Sequence, residues 1–278
     1  MSELYGRRWS IDINGKPFIE QTDGRQFKMQ FTVLIDFGGS NNYADISLFN
    51  VSSGSFKAGD RITFKAGYVE TVDTVFIGTI QNVLKERQEA STITRLVCKS
   101  QRVTTFINKS YGAGVDVVTL IKACSDAMDY PALIDVSQFD DVPVYTGGYA
   151  LQGDPRALLD KLAKTHGFTH TVENGRRVIV RNGFKRNTAP FVISQFTGME
   201  GIPQITEVGA DVTMRLSPKL RIGGTIDIRS ELSTFEFSNL YFQNIPDSAG
   251  KGIYRIQKIE HTGDSWGDTW SSKVTAIR

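Results

Sequence analysis

The sequence predicts a mainly β protein with an α+β insertion, in which two related antiparallel β-barrel domains flank a small α+β module. The first observation behind this is a block of alternating apolar and polar residues that occurs twice. Ala44-Asp45-Ile46-Ser47-Leu48-Phe49-Asn50-Val51-Ser52 returns as Ala210-Asp211-Val212-Thr213-Met214-Arg215-Leu216-Ser217-Pro218, an offset of 166 residues (44 to 210). The second is that each block is followed by a turn and another alternating strand, residues 57–64 and 221–228, now offset by 164 (59 to 223). A two-residue gap therefore falls in the loop between the strands. The third is a change of period: between residues 108 and 187 apolar residues also fall at helical spacing. Together these place the expected boundaries at 1–107, 108–187 and 188–278.

Two further strands extend the repeat. Val75-Phe76-Ile77-Gly78-Thr79-Ile80-Gln81 answers Tyr254-Arg255-Ile256-Gln257-Lys258-Ile259-Glu260, and Thr94-Arg95-Leu96-Val97-Cys98 answers Ser272-Lys273-Val274-Thr275-Ala276. Four matched strands in one order read as a duplicated β-module. The interval exceeds the roughly 20–50 residues of solenoid repeats.

In chain order, Trp9, Ile11 and Ile13 alternate toward Asn14-Gly15, a hairpin turn signal, and Phe18 resumes the pattern. Phe27, Met29, Phe31, Val33 and Ile35 make a long period-2 strand, followed by a Gly/Asn-rich loop at 36–42. After the first repeat block come a polar loop at 69–74 and a strand at 75–83. A charged hairpin tip at 85–89 and a closing strand at 93–98 follow. Six or seven short-connected strands suit a closed or nearly closed antiparallel barrel, which leaves no exposed edge.

Beyond Ile107, Val117, Leu120, Ile121, Cys124 and Met128 lie on one helical face, which Pro131 ends. Asp154-Pro155 starts a second helix: the carboxylate caps free N–H groups, and Pro at the first helical position loses nothing. Leu158, Leu159, Leu162 and Ala163 form its buried stripe, and Gly167 suits a left-handed C-cap. Residues 168–172 and 176–180 flank Asn174-Gly175, a second hairpin, with Glu173 and Arg176 facing each other across it. The second β-module begins near Phe191, with a turn-rich stretch at 197–203 and last strands at 252–260 and 270–277 around a loop at 261–269.

Composition narrows the function classes. At 278 residues the chain has room for about two domains and a sizeable core. Lys plus Arg number 32 against 30 Asp plus Glu, a balance that speaks against a dedicated nucleic-acid binder. Cys98 and Cys124 sit at apolar positions and read as reduced core thiols of a protein made in the cytoplasm. The N-terminus lacks the apolar run of a secretory signal, and no stretch approaches 18 apolar residues.

No residue pattern carries catalysis, a cofactor or a metal. His166 and His170 are separated by the helix-breaking Gly167 and cannot share a helical face as zinc ligands do; with His261 they read as surface or turn histidines. Gly112-Ala113-Gly114 lacks the third glycine of a dinucleotide loop. Asp264 and Asp268 around Gly267 supply too few oxygens for calcium and read as a turn. The pair Asp140-Asp141 has no feature of a glycosidase acid. Phe235, Phe237, Tyr241 and Phe242 could stack on sugars or bases; core plus a subunit contact is the preferred reading.

Six stretches recur as signatures of a known layout: Ile46-Ser47-Leu48-Phe49-Asn50-Val51-Ser52, Lys65-Ala66-Gly67-Tyr68, Phe76-Ile77-Gly78-Thr79-Ile80, residues 198–203, Leu216-Ser217-Pro218-Lys219-Leu220, and residues 254–264 with Trp270. In this order they resemble the baseplate hub proteins of contractile-tailed phages and the hub module of type VI secretion spike proteins. The resemblance covers most of the chain, in a compact version. It implies a structural, non-enzymatic homotrimer located in the virion tail baseplate and assembled in the host cytoplasm. Three copies of a doubled module would present six similar surfaces, adapting the hexameric tail tube, or a tube-initiator protein, to the trimeric central spike. Tape measure and baseplate wedge proteins are further implied neighbours. Neither nucleic acid nor a membrane is required. A tail-associated protein that binds or degrades cell-wall glycan is the alternative; a single-strand nucleic-acid binder is a third, disfavoured by charge.

Overall fold

The computed structural model describes residues 6–20, 27–37, 42–88, 90–100, 106–236 and 251–278. Its first unit holds β1 (Arg7–Ile13), β2 (Lys16–Glu20), β3 (Met29–Asp36), β4 (Tyr43–Phe49), β5 (Arg61–Tyr68), β6 (Asp73–Gln88) and β7 (Ser91–Lys99). Asn14 (φ 52°) and Gly15 (φ 79°) make the left-handed turn that joins β1 to β2, as their sequence requires. Alternation fixes each strand's faces: β3 buries Met29, Phe31, Val33 and Ile35 while the residues between point outward. β6 is longer than its apolar pattern. It pairs with β7 out to Gln88↔Ser91, so the charged segment read as a hairpin tip is the distal part of a strand, exposed on both faces.

The middle of the chain contains β8 (Ile107–Tyr111), α1 (Val117–Ala127), β9 (Ala132–Ile134), β10 (Tyr149–Gly153), α2 (Pro155–His166), β11 (Phe168–Glu173) and β12 (Arg176–Arg181). Asp116 and Asp154 cap the two helices through backbone N–H groups of Thr119 and Arg156, and Gly167 ends α2 in the left-handed conformation. Asn174 and Gly175 turn β11 into β12, with Glu173 and Arg176 paired across the turn. The strands β8, β9 and β10 went unrecognised in the sequence, being three to five residues long. A separate apolar core, including Leu120, Ile121, Cys124, Leu151, Leu159 and Phe168, fills this part.

The last part holds β13 (Phe191–Ser194), β14 (Met199–Thr206), β15 (Gly209–Arg215), β16 (Thr225–Arg229), β17 (Thr234–Glu236), β18 (Lys251–Asp264) and β19 (Trp270–Ile277). The stretch expected to be a turn-rich approach is the bulged strand β14, with extra residues between Glu200 and Gln204. Of the expected loop at 261–269, residues up to Asp264 belong to β18.

Strand order repeats between the two ends of the chain. β3-β4-β7-β6-β5 in the first unit matches β14-β15-β19-β18-β16 in the last. Registers coincide as well: Ala44 pairs with Cys98, which pairs with Ile80, and Ala210 pairs with Ala276, which pairs with Ile256. Gly59 N–H donates to Ile80 O (2.8 Å) and Ile80 N–H to Asp60 O (2.9 Å); Gly223 N–H donates to Ile256 O (2.9 Å) and Ile256 N–H to Gly224 O (2.8 Å). Gly59 and Gly223 both take positive φ, 93° and 74°. Offsets of 166 and 164 are thus the structural ones. The third strand differs. Its alignment is Ile80 to Ile256, three residues away from the sequence match, and it sets the bulges at Gln81 and Gln257 at equivalent positions.

The expectation of two closed or nearly closed antiparallel barrels is not confirmed among the described residues. The fourteen strands described in the two units form one continuous sheet that branches at β18, and no described strand pairing closes either unit on itself. Nor is it wholly antiparallel, since β13 runs parallel to β16 and β14 parallel to β17. The branch arises because β18 presents one edge to β19 and divides the other between β16, over residues 251–255, and β3, over residues 258–264. One apolar core runs under both units and takes in Val178 and Val180 of β12.

Candidate assembly interface

The residues considered for chemistry are held in structural networks. His166 Nε2 lies 2.7 Å from the Tyr145 hydroxyl, and His170 Nε2 lies 2.9 Å from Asp160 Oδ1. Arg177, fully buried, can only donate, so His170 Nδ1 at 3.2 Å is its acceptor and Nε2 carries the proton given to Asp160. The Asp264 loop is a turn: Oδ1 accepts from the N–H groups of Trp266 (2.8 Å) and Gly267 (2.9 Å), and Oδ2 from Gln30 (2.7 Å). Asp141 is paired with Arg181. Among the described residues no three His, Cys, Asp or Glu side chains gather as metal ligands, and no helix is long and apolar enough to cross a membrane. A cleft of about 690 Å³ beside Lys185, Tyr254 and Arg255 has neither histidine nor cysteine in its lining.

His261 departs from the surface reading. It is buried in β18 against Ser272 Oγ (2.7 Å), and burial, reinforced by Arg221, pushes its pKa down to about 3. The fold therefore holds it uncharged, while the unfolded chain takes up a proton near pH 6.5. Stability attached to this group is present above pH 6.5 and falls as pH drops toward 3, by up to about 1.4 kcal/mol per unit. Urea unfolding at pH 7, 6, 5 and 4 is expected to show that slope, and His261→Gln to reduce it by about one proton; an unchanged slope in the variant would refute the assignment.

Contacts between the three segments are polar and specific. Glu173, 4% exposed, accepts from Arg186 Nη1 (2.6 Å) and the Ile222 N–H (2.8 Å). Its carboxylate thus serves Arg186 and, in the last unit, the Ile222 N–H rather than Arg176. Asn42, expected within a loop, is buried and donates to Thr171 Oγ1 and Val172 O, both at 2.8 Å. Residues 38–41 of that loop lie outside the described residues. Arg7 of β1 donates to the backbone carbonyls of Asp264 (2.8 Å), Asp268 (3.1 Å) and Gly267, clamping the β18–β19 turn to the first unit.

The junction of the two units is the β3–β18 ladder, running antiparallel from Lys258↔Asp36 to Asp264↔Gln30. At its end Gly263 lies between Phe31 and Trp270, whose rings meet edge to face at 5.4 Å. A Cβ at Gly263 would come within 2.3 Å of the Phe31 ring, so only glycine lets the two rings close over the strand.

Among the edges outside that ladder in the described residues, which include the outer sides of β2 and β13, two belong to β6 and β14, the strands that match β18 and β3. Beyond Ile80, β6 is paired on one side by β7, and among the described residues no strand pairs with its other side over residues 82–86. Among the described residues the outer side of β14 carries β17, whose described part is exposed. Ile202, Val208, Leu232 and Phe235 are exposed around this strand pair. Phe235 is thus not core, and Phe237, Tyr241 and Phe242 lie outside the described residues. Sequence patterns missed both edges; the one signal available was that Val83-Leu84 continues the apolar content of the strand into a polar run.

This arrangement, two sheet units of shared topology with an α+β segment between them, is the fold of phage tail proteins. It is similar to the 43 kDa tail protein of prophage MuSo2 from Shewanella oneidensis, with a TM-score of 0.64 at 10% identity over 98% of each chain. A tail protein from Neisseria meningitidis MC58 matches with a TM-score of 0.59 at 10% identity, over 99% of this chain and 97% of that one. The c3393 protein of E. coli, a type VI secretion component described as similar to T4 tail proteins gp27 and gp5, matches with a TM-score of 0.55 at 11% identity, over 96% and 76%. No curated protein sequence matches. The model of the baseplate hub gp41 family matches residues 44–235, and the chain belongs to that family, as a component of the phage tail baseplate.

Proposed function

We propose that this chain is a structural, non-catalytic hub that assembles as a homotrimer, its six sheet units making a ring of pseudo-sixfold symmetry. The observation that carries this is the coincidence of strand order, register and the Gly59/Gly223 hydrogen bonds between the two ends of the chain. Two units that fold alike and join edge to edge can continue as a ring when the contact is heterologous and closes. Such a ring suits a hexameric tail tube or tube-initiator protein on one face and a trimeric spike on the other, within a contractile tail. The segments 1–107 and 188–278 are the ring-forming domains in this reading, and 108–187 packs outside them. Tape measure and wedge proteins would be outer neighbours.

Light scattering of the purified full chain over a wide concentration range is expected to give three times the chain mass at the upper end. A monomer at every concentration would overturn the trimer.

A further inference from the structure

Resting on the trimeric reading, we infer that residues 82–86 of β6 pair antiparallel with residues 204–208 of a second copy, displacing that copy's β17. The chain itself displays the template for this joint. β18 is the counterpart of β6 (80 to 256), and β14 is the counterpart of β3 (33 to 205). Within the chain, the distal half of β18 covers the outer edge of β3. Transferring that ladder by the same offsets sets Glu86 opposite Gln204 and Leu84 opposite Thr206. These correspond to Thr262 opposite Thr32 and Glu260 opposite Leu34. Each copy then offers one donor edge and one acceptor edge, which is the head-to-tail contact that builds a ring.

The acceptor edge is covered beforehand by β17, which runs parallel to it and whose described side chains are all exposed. An antiparallel ladder replaces a parallel one, and parallel pairing is the weaker per residue. Exposed Val208 and Leu84 then lie along the new contact. In a single copy, β17 acts as a guard over an edge that would otherwise recruit neighbours without order.

The register yields a direct test. Phe37 N–H bonds Gln257 O, and Ser265 N–H bonds Met29 O, so alternate pairs such as Thr262–Thr32 are the non-hydrogen-bonded ones. Their counterparts, 86–204 and 84–206, have the close Cα approach that a disulfide needs. The native Cys98 and Cys124 are buried and do not compete. Full-length chains carrying Glu86→Cys with Gln204→Cys, or Leu84→Cys with Thr206→Cys, are expected to give covalent trimers on mild oxidation. The single variants are expected to give none, and a mixture of two complementary singles to give covalent dimers. A trimeric mass by light scattering with no covalent species from either pair would overturn this joint and leave the trimer standing. A species monomeric throughout would remove both. For the displacement, Thr234→Pro weakens the β17 ladder and is expected to move the monomer–trimer midpoint to lower concentration. An unchanged or higher midpoint would overturn β17 as a guard.

Discussion

Glu173→Ala is expected to lower the unfolding free energy by about 3–5 kcal/mol, the usual cost of removing one partner of a buried ion pair. The carboxylate is buried at the end of β11, where it accepts from Arg186 and from the Ile222 N–H. Truncation leaves a guanidinium that is largely withdrawn from water without its anion and strips an acceptor from a buried amide. Glu173→Gln keeps an acceptor for Ile222 and should lose less. Replacing Glu173 and Arg186 together with leucine is expected to recover part of the loss, since the residual charge disappears with its partner. Urea unfolding followed by circular dichroism measures each variant. A loss below about 1 kcal/mol for Glu173→Ala would mean that the pair contributes nothing net.

Trp270→Ala is expected to cost about 3–5 kcal/mol, at the upper end for removal of a buried aromatic side chain. Trp270 is 3% exposed, and its indole N–H donates to Gly67 O at 3.2 Å, so β19 reaches the carbonyl of β5 across the junction. Its ring also packs against Phe31 and lies 5.6 Å from the Arg7 guanidinium. Truncation opens a cavity between the units and removes that hydrogen bond. Trp270→Phe retains much of the volume without the donor and is expected to lose about half as much. The same unfolding series, with matched Trp270→Phe and Trp270→Ala chains, decides it: equal losses would mean that volume is not the governing quantity.

Legibility in the sequence followed the range of the interactions involved. Local rules worked where a residue acts on its own neighbours. Asn14-Gly15 and Asn174-Gly175 make the turns their φ angles demand, and the Asp154, Pro155 and Gly167 signals bound α2 where expected. Offsets between the repeats were readable for β4 and β5 because alternation and a shared turn glycine fix both face and register. They slipped by three residues in β6, where the apolar residues of 75–81 can be laid on those of 254–260 without a shared turn residue to fix the register. The branch at β18 had no local signal, since which strand takes the second half of its edge is settled by residues more than two hundred positions away. Glu173 shows the same limit. Its nearest sequence partner faces it in the hairpin, yet its charge is used by Arg186 and Ile222. For assembly, the repeated module was visible from the sequence, whereas the edges that could join copies depend on where pairing stops.

The long edge of β3 has a consequence for synthesis. Its partner in β18 leaves the ribosome only after most of the polypeptide has been made, at roughly 5–20 residues per second. For about 10–50 s the apolar strand Met29–Asp36 can therefore pair with β4 but not with its permanent companion. During that interval the nascent chain carries a strand margin open to competing pairings. The order of translation thus makes the last strands the step that commits the molecule to its finished form.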